Sequence, residues 1–446
     1  MTKLCPNATN LSRAGSTEPG SDESCRKLCR EVCRNGSLRS ALTTQFKVKS
    51  SEIRILGSAL ILLLLFTSLT LVSSGQPAPS PEPIKDSDLA SRSMLSEGDT
   101  VRLQRVMAKA RRGGTVTIGV IGGSITQGAA ASKPENRYGN RVAAWWREKF
   151  PKASVQFVNA GIGATGSNYG ALRADRDLLS HQPDLVIVEY ALNDPNGREA
   201  AETLEGLVRQ VLKRDNQPAV ILLFTMNQNG ANAQEWHSKV GAHYSLPMIS
   251  YRDALWPEIQ AGRMNWKDIS PDAVHPNDRG HAYCAEFITR LLGNVLQELP
   301  PDGSLPNPKP LSSPLLSNSY EAVGLFEAET LRPTSSQGWA YDPNLKCWKS
   351  DQPGSTIEFE VRGRSILTMH YVVRGPMGQA KVTVDNGATK ELDGWFDQTW
   401  GGYRQTNEIV RDLAAGKHRV RFELLAEKDA QSTGTEFRLL GIGTAE

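Results

Sequence analysis

Between residues 115 and 299 the chain alternates short, almost wholly apolar runs with longer stretches of helical spacing. The runs at 116–121, 155–160, 185–190, 220–225 and 248–251 read as strands. Helical patterns at 141–150, 171–179, 198–214 and 233–244 lie between them, and a longer one at 278–299 follows. Strands that are apolar at successive positions have to be covered on both faces. That predicts an α/β fold, a flavodoxin-like three-layer domain with a parallel sheet, over residues 93–299. Residues 300–319 are rich in Pro and Ser and read as a linker. Beyond them the period changes. Runs at 356–361, 366–373, 381–384, 418–425 and 437–442 are short, alternating and separated by Gly, Asn and Asp. This predicts a C-terminal antiparallel β-sandwich of jelly-roll type over 320–446.

The first 92 residues follow neither pattern. Residues 1–54 carry ten Lys/Arg and five Asp/Glu, a basic tail of +5. The whole chain of 446 residues is only +3, so the remainder is −2. A body so close to neutral has no broad basic field for nucleic acid. Residues 55–72 are almost wholly apolar, follow Lys47, Lys49 and Arg54, and precede a Pro-rich stretch over 76–92. The segment 55–75 suits either a signal peptide or a membrane anchor, with the body of the chain exported in both cases. Membrane contact is expected only through it. Four of the six cysteines, Cys5, Cys25, Cys29 and Cys33, lie in the tail. The last three share one face of a possible helix, but no His-rich partner motif follows, and no metal site is assigned. Cys284 falls in an apolar helical pattern and reads as a core residue.

Two features carry chemistry. Ser124 stands in Gly122-Gly123-Ser124-Ile125-Thr126, directly after the first strand. Far downstream comes Asp272-Ala273-Val274-His275. Glycines let the backbone turn sharply and leave the hydroxyl unobstructed at the strand end. A serine hydroxyl needs a base, for which His275 is the candidate. Asp272 would orient the imidazole and stabilise the imidazolium. Attack on a carbonyl creates an oxyanion that needs donors already in place. The candidates are the backbone N–H of Ser124, a backbone N–H at Gly163 or Ala164 after the second strand, and the side-chain amide of Asn193 after the third.

In these blocks the chain resembles the SGNH (GDSL-like) hydrolases. Gly122-Gly123-Ser124-Ile125 matches the nucleophile block, with Gly123 where the family name has Asp. Asn159-Ala160-Gly161-Ile162-Gly163-Ala164 resembles the second block, Ala191-Leu192-Asn193-Asp194 the Gly-x-Asn-Asp block, and Asp272-Ala273-Val274-His275 the last. The resemblance covers roughly residues 115 to 298. It implies a serine esterase acting on acyl esters, often acetyl groups on carbohydrate, without metal or organic cofactor. The expected partner is an acylated carbohydrate or other small ester, not nucleic acid. The C-terminal sandwich resembles the galactose-binding-like jelly rolls of some carbohydrate esterases. Its Trp339, Tyr341, Trp348, Trp395, Trp400 and Tyr403 divide between core and sugar platform.

One rival lies in the same chain. Gly161-Ile162-Gly163-Ala164-Thr165-Gly166 is a literal G-x-G-x-x-G between a strand and a helix, and Glu189 ends the next strand. That pattern suits a dinucleotide. A non-catalytic carbohydrate-binding protein is the other alternative. Sequence alone also leaves the loop 126–138, with Lys133, Glu135, Asn136 and Arg137, as pocket wall or solvated loop. Asp194 is expected to cap the helix that follows it. Trp236 and Trp266 are expected to be buried rather than to shape a subsite. The number of subunits is not legible.

Overall fold

The computed structural model describes residues 86–446; the basic tail, its cysteines and the 55–75 segment lie outside them. Six strands make the first sheet: β1 (Met94–Ser96), β2 (Thr115–Gly122), β3 (Ser154–Gly161), β4 (Leu185–Glu189), β5 (Ala219–Phe224) and β6 (Met248–Ser250). Their order is β1-β6-β5-β4-β2-β3. All neighbours are parallel except β1 on β6. Among the parallel strands the first, β2, lies between the second and third. This is the flavodoxin-like order, with its switch point between β2 and β4.

The apolar runs divide cleanly between two faces. Ile118, Val120, Ile187, Ile221 and Leu223 point into one core with α1 (Asp86–Ser93), α2 (Val101–Arg111), α4 (Tyr138–Lys149) and α9 (Asp278–Glu298). Ile121, Val186, Val188, Val220 and Leu222 point into the other with α5 (Ser167–Asp177), α6 (Arg198–Leu212) and α7 (Gln234–His243). Period-two alternation with both faces apolar explains why the strands read as continuous runs. Helix α9 alone buries Phe287, Ile288, Leu291, Leu292 and Val295. Each such side chain contributes roughly 1.5–3 kcal/mol of burial.

The second unit is a sandwich of two antiparallel sheets. One holds β15 (Tyr403–Val410), β12 (Ser365–Val372), β17 (Phe437–Ala445), β10 (Cys347–Ser350) and β9 (Ala340–Asp342), with β7 (Val323–Glu327) also on β17. The other holds β14 (Thr389–Asp393), β13 (Gln379–Val384), β16 (Lys417–Leu424), β11 (Thr356–Arg362) and β8 (Ser335–Gln337). Phe359, Val382, Phe422, Phe437 and Ile442 fill the space between them.

The two units share a core. Leu172, Leu204 and Leu207 of α5 and α6 belong to one apolar cluster with Tyr320, Leu367, Met369 and Leu440. Tyr320 seats on Gly206, where an added Cβ would lie 2.2 Å from the tyrosine Cβ. Residues 300–319 carry neither helix nor strand. Yet the fully buried Glu205 accepts the N–H groups of Leu315, Leu316 and Ser317 at 2.5, 2.8 and 3.0 Å. Three backbone donors on one carboxylate strap this stretch against α6.

Candidate active site

The nucleophile corner is built by close approach. Helix α3 (Ser124–Gln127) is a single turn closed by Gly128 at φ 102°. A Cβ on Gly122 would sit 2.2 Å from Thr126 Oγ1, and one on Gly123 2.0 Å from Asn193 Oδ1. Only glycine fits where the end of β2 is crossed by its own helix and by the loop after β4. Arg173, fully buried on α5, donates to Gly122 O at 3.3 Å and to Tyr190 OH at 2.9 Å.

Ser124 Oγ lies 2.9 Å from His275 Nε2, and His275 Nδ1 lies 2.9 Å from Asp272 Oδ2. Asp272 Oδ1 accepts the N–H groups of Val274 and His275, each at 2.7 Å. Burial pushes the Asp272 carboxyl up, but hydrogen bonds and charge from His275 and these two amides outweigh it. The group is held below the usual carboxylate range. The loop is braced from three sides. Trp266 Nε1 donates to Asp272 O at 2.5 Å. Ser270 Oγ reaches His275 O at 2.7 Å. Gln228 N–H donates to Ala273 O at 2.9 Å. Asn277 then caps α9 by accepting from Arg279 and Gly280 N–H.

Two of the residues expected to supply donors, Asn193 and Gly163, lie beside the corner. The Asn193 side chain lies over Gly123, its Oδ1 buried without a hydrogen-bond partner. Gly163 faces the Ser124 Cβ, 3.7 Å from where its own Cβ would be. Its N–H donates to Gln127 Oε1 at 3.1 Å, a contact not foreseen from sequence. Ala164 adopts φ 55°. Gly161 packs on the backbone of Gln127, and Gly166 on Asp194. These three glycines thus let protein approach protein, and they leave no cradle for pyrophosphate. Glu189 is fully buried and unable to meet a ribose. The dinucleotide reading fails on both counts.

Asp194 caps a different helix from the one expected. Its Oδ1 accepts Ser167 N–H at 2.8 Å, at the start of α5, while α6 begins after Gly197 with no side-chain cap. One carboxylate therefore ties the loop after β4 to the loop after β3. His237 Nε2 lies 3.2 Å from its other oxygen.

The loop 126–138 is pinned rather than free. Ser132 and Asn136 both donate to Asp278 at the start of α9. Lys133 and Glu135 are exposed, and Arg137 lies across Gly128 with its Nε buried and unpartnered. Trp236 is half-buried beneath Lys239, and Trp266 serves the Asp272 loop. In the sandwich, Trp339 is core, whereas Trp400 stacks on Tyr403 at 5.7 Å with Phe396 edge-on to both.

Sequence reading missed the polar layer beneath the serine. Glu189 Oε1 accepts from Thr225 Oγ1 at 2.6 Å, and Oε2 from Thr126 Oγ1 at 3.3 Å. Thr126 Oγ1 in turn lies 2.8 Å from Tyr138 OH. Burial pushes the Glu189 carboxyl up to about 7, against the pull of the two threonine hydroxyls. The available signal was an acidic residue ending an otherwise apolar strand.

A serine, histidine and aspartate in hydrogen-bond series at a sheet's switch point define the class of serine hydrolases. The chain belongs to the GDSL-like Lipase/Acylhydrolase family, whose profile matches residues 120–283. It is a GDSL/SGNH-type carboxylic ester hydrolase. It is similar to a solved two-domain esterase (CEX) active on acetylated mannans and co-crystallised with mannopentaose. Identity is 34%, covering 80% of this chain and 98% of that one, with a TM-score of 0.72. A second structure of a two-domain esterase (CEX) active on acetylated mannans gives 33% identity, the same coverage and a TM-score of 0.73. The likeness thus extends beyond the hydrolase domain into the sandwich. No curated protein matches the chain.

Proposed function

We propose that this esterase removes acetyl groups from a carbohydrate of the mannan type, through Ser124, His275 and Asp272. The observation that carries the reading is the series Ser124 Oγ, His275 Nε2, His275 Nδ1 and Asp272 Oδ2, with both links at 2.9 Å. The substrate class rests on the relative active on acetylated mannans, similar over 98% of its length. His275 takes the Ser124 proton as Oγ attacks the acetyl carbonyl carbon. The oxyanion is held by Ser124 N–H and the Asn193 side-chain amide, joined by Gly163 N–H when Gln127 releases it, or by Ala164 N–H. The imidazolium protonates the departing sugar oxygen. Water, deprotonated by His275, then attacks the acetyl-enzyme, and acetate leaves as Ser124 recovers its proton. The stacked Trp400 and Tyr403 offer a sugar platform. Export through residues 55–75 belongs to the same reading, since a polymeric mannan lies outside the cell. N-terminal sequencing of the mature protein tests that part.

The test of the chemistry pairs two substrates. Wild-type protein should release acetate from acetylated mannan and p-nitrophenol from p-nitrophenyl acetate, and Ser124→Ala should do neither while melting like wild type. Persistent turnover by Ser124→Ala would remove the triad. Hydrolysis of the synthetic ester with acetylated xylan preferred to mannan would keep the triad and change the substrate.

A further inference from the structure

Glu189 is conspicuous because it breaks a rule of burial. It is fully buried, and no Lys or Arg among the described residues pairs with it. Its partners are two threonine hydroxyls, Thr225 and Thr126. A glutamine would satisfy the same hydroxyls without burying an ionisable group. A buried acid without a cation is costly, and such violations concentrate where function requires them.

Its location supplies the function. Glu189 is the register partner of Gly122, two residues before the nucleophile. Thr126, which donates to it, sits on the same helical turn as Ser124. The main chain of that turn is held as well, because Asn159 Nδ2 donates to Thr126 O at 2.9 Å. The groups facing the carboxyl can be named by element. Tyr138 comes from α4 and Cys284 from α9; both are fully buried, and burial pushes each up and keeps it neutral. Asp194 and His275 act on it through space from the two site loops, the first raising its proton affinity and the second lowering it. Tyr190 belongs to the opposite sheet face, where Arg173 binds it. His275 is thus the one group in this set that becomes cationic during turnover.

We propose that Glu189 is a positioning residue, a second carboxylate that holds the Ser124 turn through Thr126 and supports the His275 imidazolium through space. Asp272 supports the imidazolium through contact, Glu189 through the field. The inference rests on the triad assignment above. An ionised Glu189 lowers the barrier, and a protonated one does not.

The experiment compares wild type with Glu189→Gln on p-nitrophenyl acetate from pH 5 to 9, separating kcat from KM. Glu189→Gln should lower kcat about tenfold at pH 8.5 and much less at pH 5.5, with KM unchanged. A kcat ratio that is unity, or constant across the range, overturns the proposal while leaving the triad intact. A Ser124→Ala variant as active as wild type would instead indict the triad. If Glu189→Gln lacks a cooperative melt, Thr126→Val decides. It removes one of two donors to the carboxylate, so the acid limb of kcat should move to higher pH. A Thr126→Val profile superposing on wild type overturns the proposal equally.

Discussion

Gly123→Ala isolates one contact at the site. Gly123 has φ −85°, outside the left-handed region that favours glycine. The obstacle is the Asn193 side chain, with Oδ1 at 2.0 Å, Cγ at 2.7 Å and Nδ2 at 3.2 Å from the added methyl. Ordinary contact needs roughly 3.5 Å, so the amide has to retreat by more than about 1 Å. A misplacement of that size costs on the order of a hundredfold in rate. Loss of an oxyanion donor outright costs about 10²–10³, or roughly 2.7–4 kcal/mol. The two routes agree. Gly123→Ala should lower kcat on p-nitrophenyl acetate by about a hundredfold with little change in KM, and its melting temperature should stay near wild type. Asn193→Ala should fall as far, and the double variant no further, because both changes remove one interaction. Full activity in Gly123→Ala, or additive losses in the double variant, would refute the reasoning. A carboxylate at position 123 has no room while Asn193 holds its place.

Asp272→Asn should lower kcat by about 10⁴, through loss of the charge and tautomer control exerted on His275. Because Asp272 is held below the usual carboxylate range, it stays ionised at mildly acidic pH and contributes no limb to the rate profile there. Glu189 has a stability signature opposite in sign to its catalytic one. Its folded value, about 7, exceeds the ordinary 4.5, so between these pH values the folded state holds a proton that the unfolded state releases. Stability therefore falls as pH rises through this window, by about 3 kcal/mol at most for the 2.5 pH units between those two values. Glu189→Gln should melt progressively higher than wild type by calorimetry as pH rises from 5 to 8. A constant difference would show that the carboxyl ionises as readily folded as unfolded.

What could be read from sequence follows from how locally each feature is encoded. Strands β2, β4, β5 and β6 were legible because both faces of each are covered, so apolar residues run nearly unbroken, whereas edge strand β3 kept enough apolar positions among its exposed ones to be read. Helix α8 (Tyr251–Gln260) was not, because Pro257 interrupts its pattern. Edge strand β1 is three residues long, too short to show a period. Strand β15 was hidden for another reason. All eight of its residues are half-buried, since it runs along the seam between the two units, and its sequence Tyr-Arg-Gln-Thr-Asn-Glu-Ile-Val never alternates cleanly. At the site, Ser124 and Asn193 stand out in sequence because each lies in a short motif just past a strand, and Asp272 and His275 because they share one four-residue motif in the loop before α9. Glu189 was visible as a residue but not as a buried acid. Its burial depends on Thr225, Thr126 and Tyr138, which arrive from three other segments. Asp194 failed similarly, because sequence proximity favoured the helix after it and the fold delivered the helix before it.

The seam bears on catalysis because of which helix it grips. Helix α5 starts at Ser167, immediately after the loop that carries Gly163 and Ala164. One side of that start is held by Asp194, whose neighbour is Asn193. The other side is held by the sandwich. Asn168 Nδ2 donates to Thr406 O at 3.3 Å, and Tyr169 OH to Glu327 at 3.1 Å. Glu327 also binds Arg176 at 2.9 Å and Arg404 at 2.7 Å, while Arg404 lies over the Tyr169 ring. Charge from both arginines outweighs burial and holds Glu327 below the usual range, so the clasp stays ionised. With an apolar cluster continuous beneath it, the second unit is bolted to the helix behind the loop of Gly163 and Ala164 rather than tethered at a distance. The sandwich thus packs directly on the helix that follows the loop of Gly163 and Ala164.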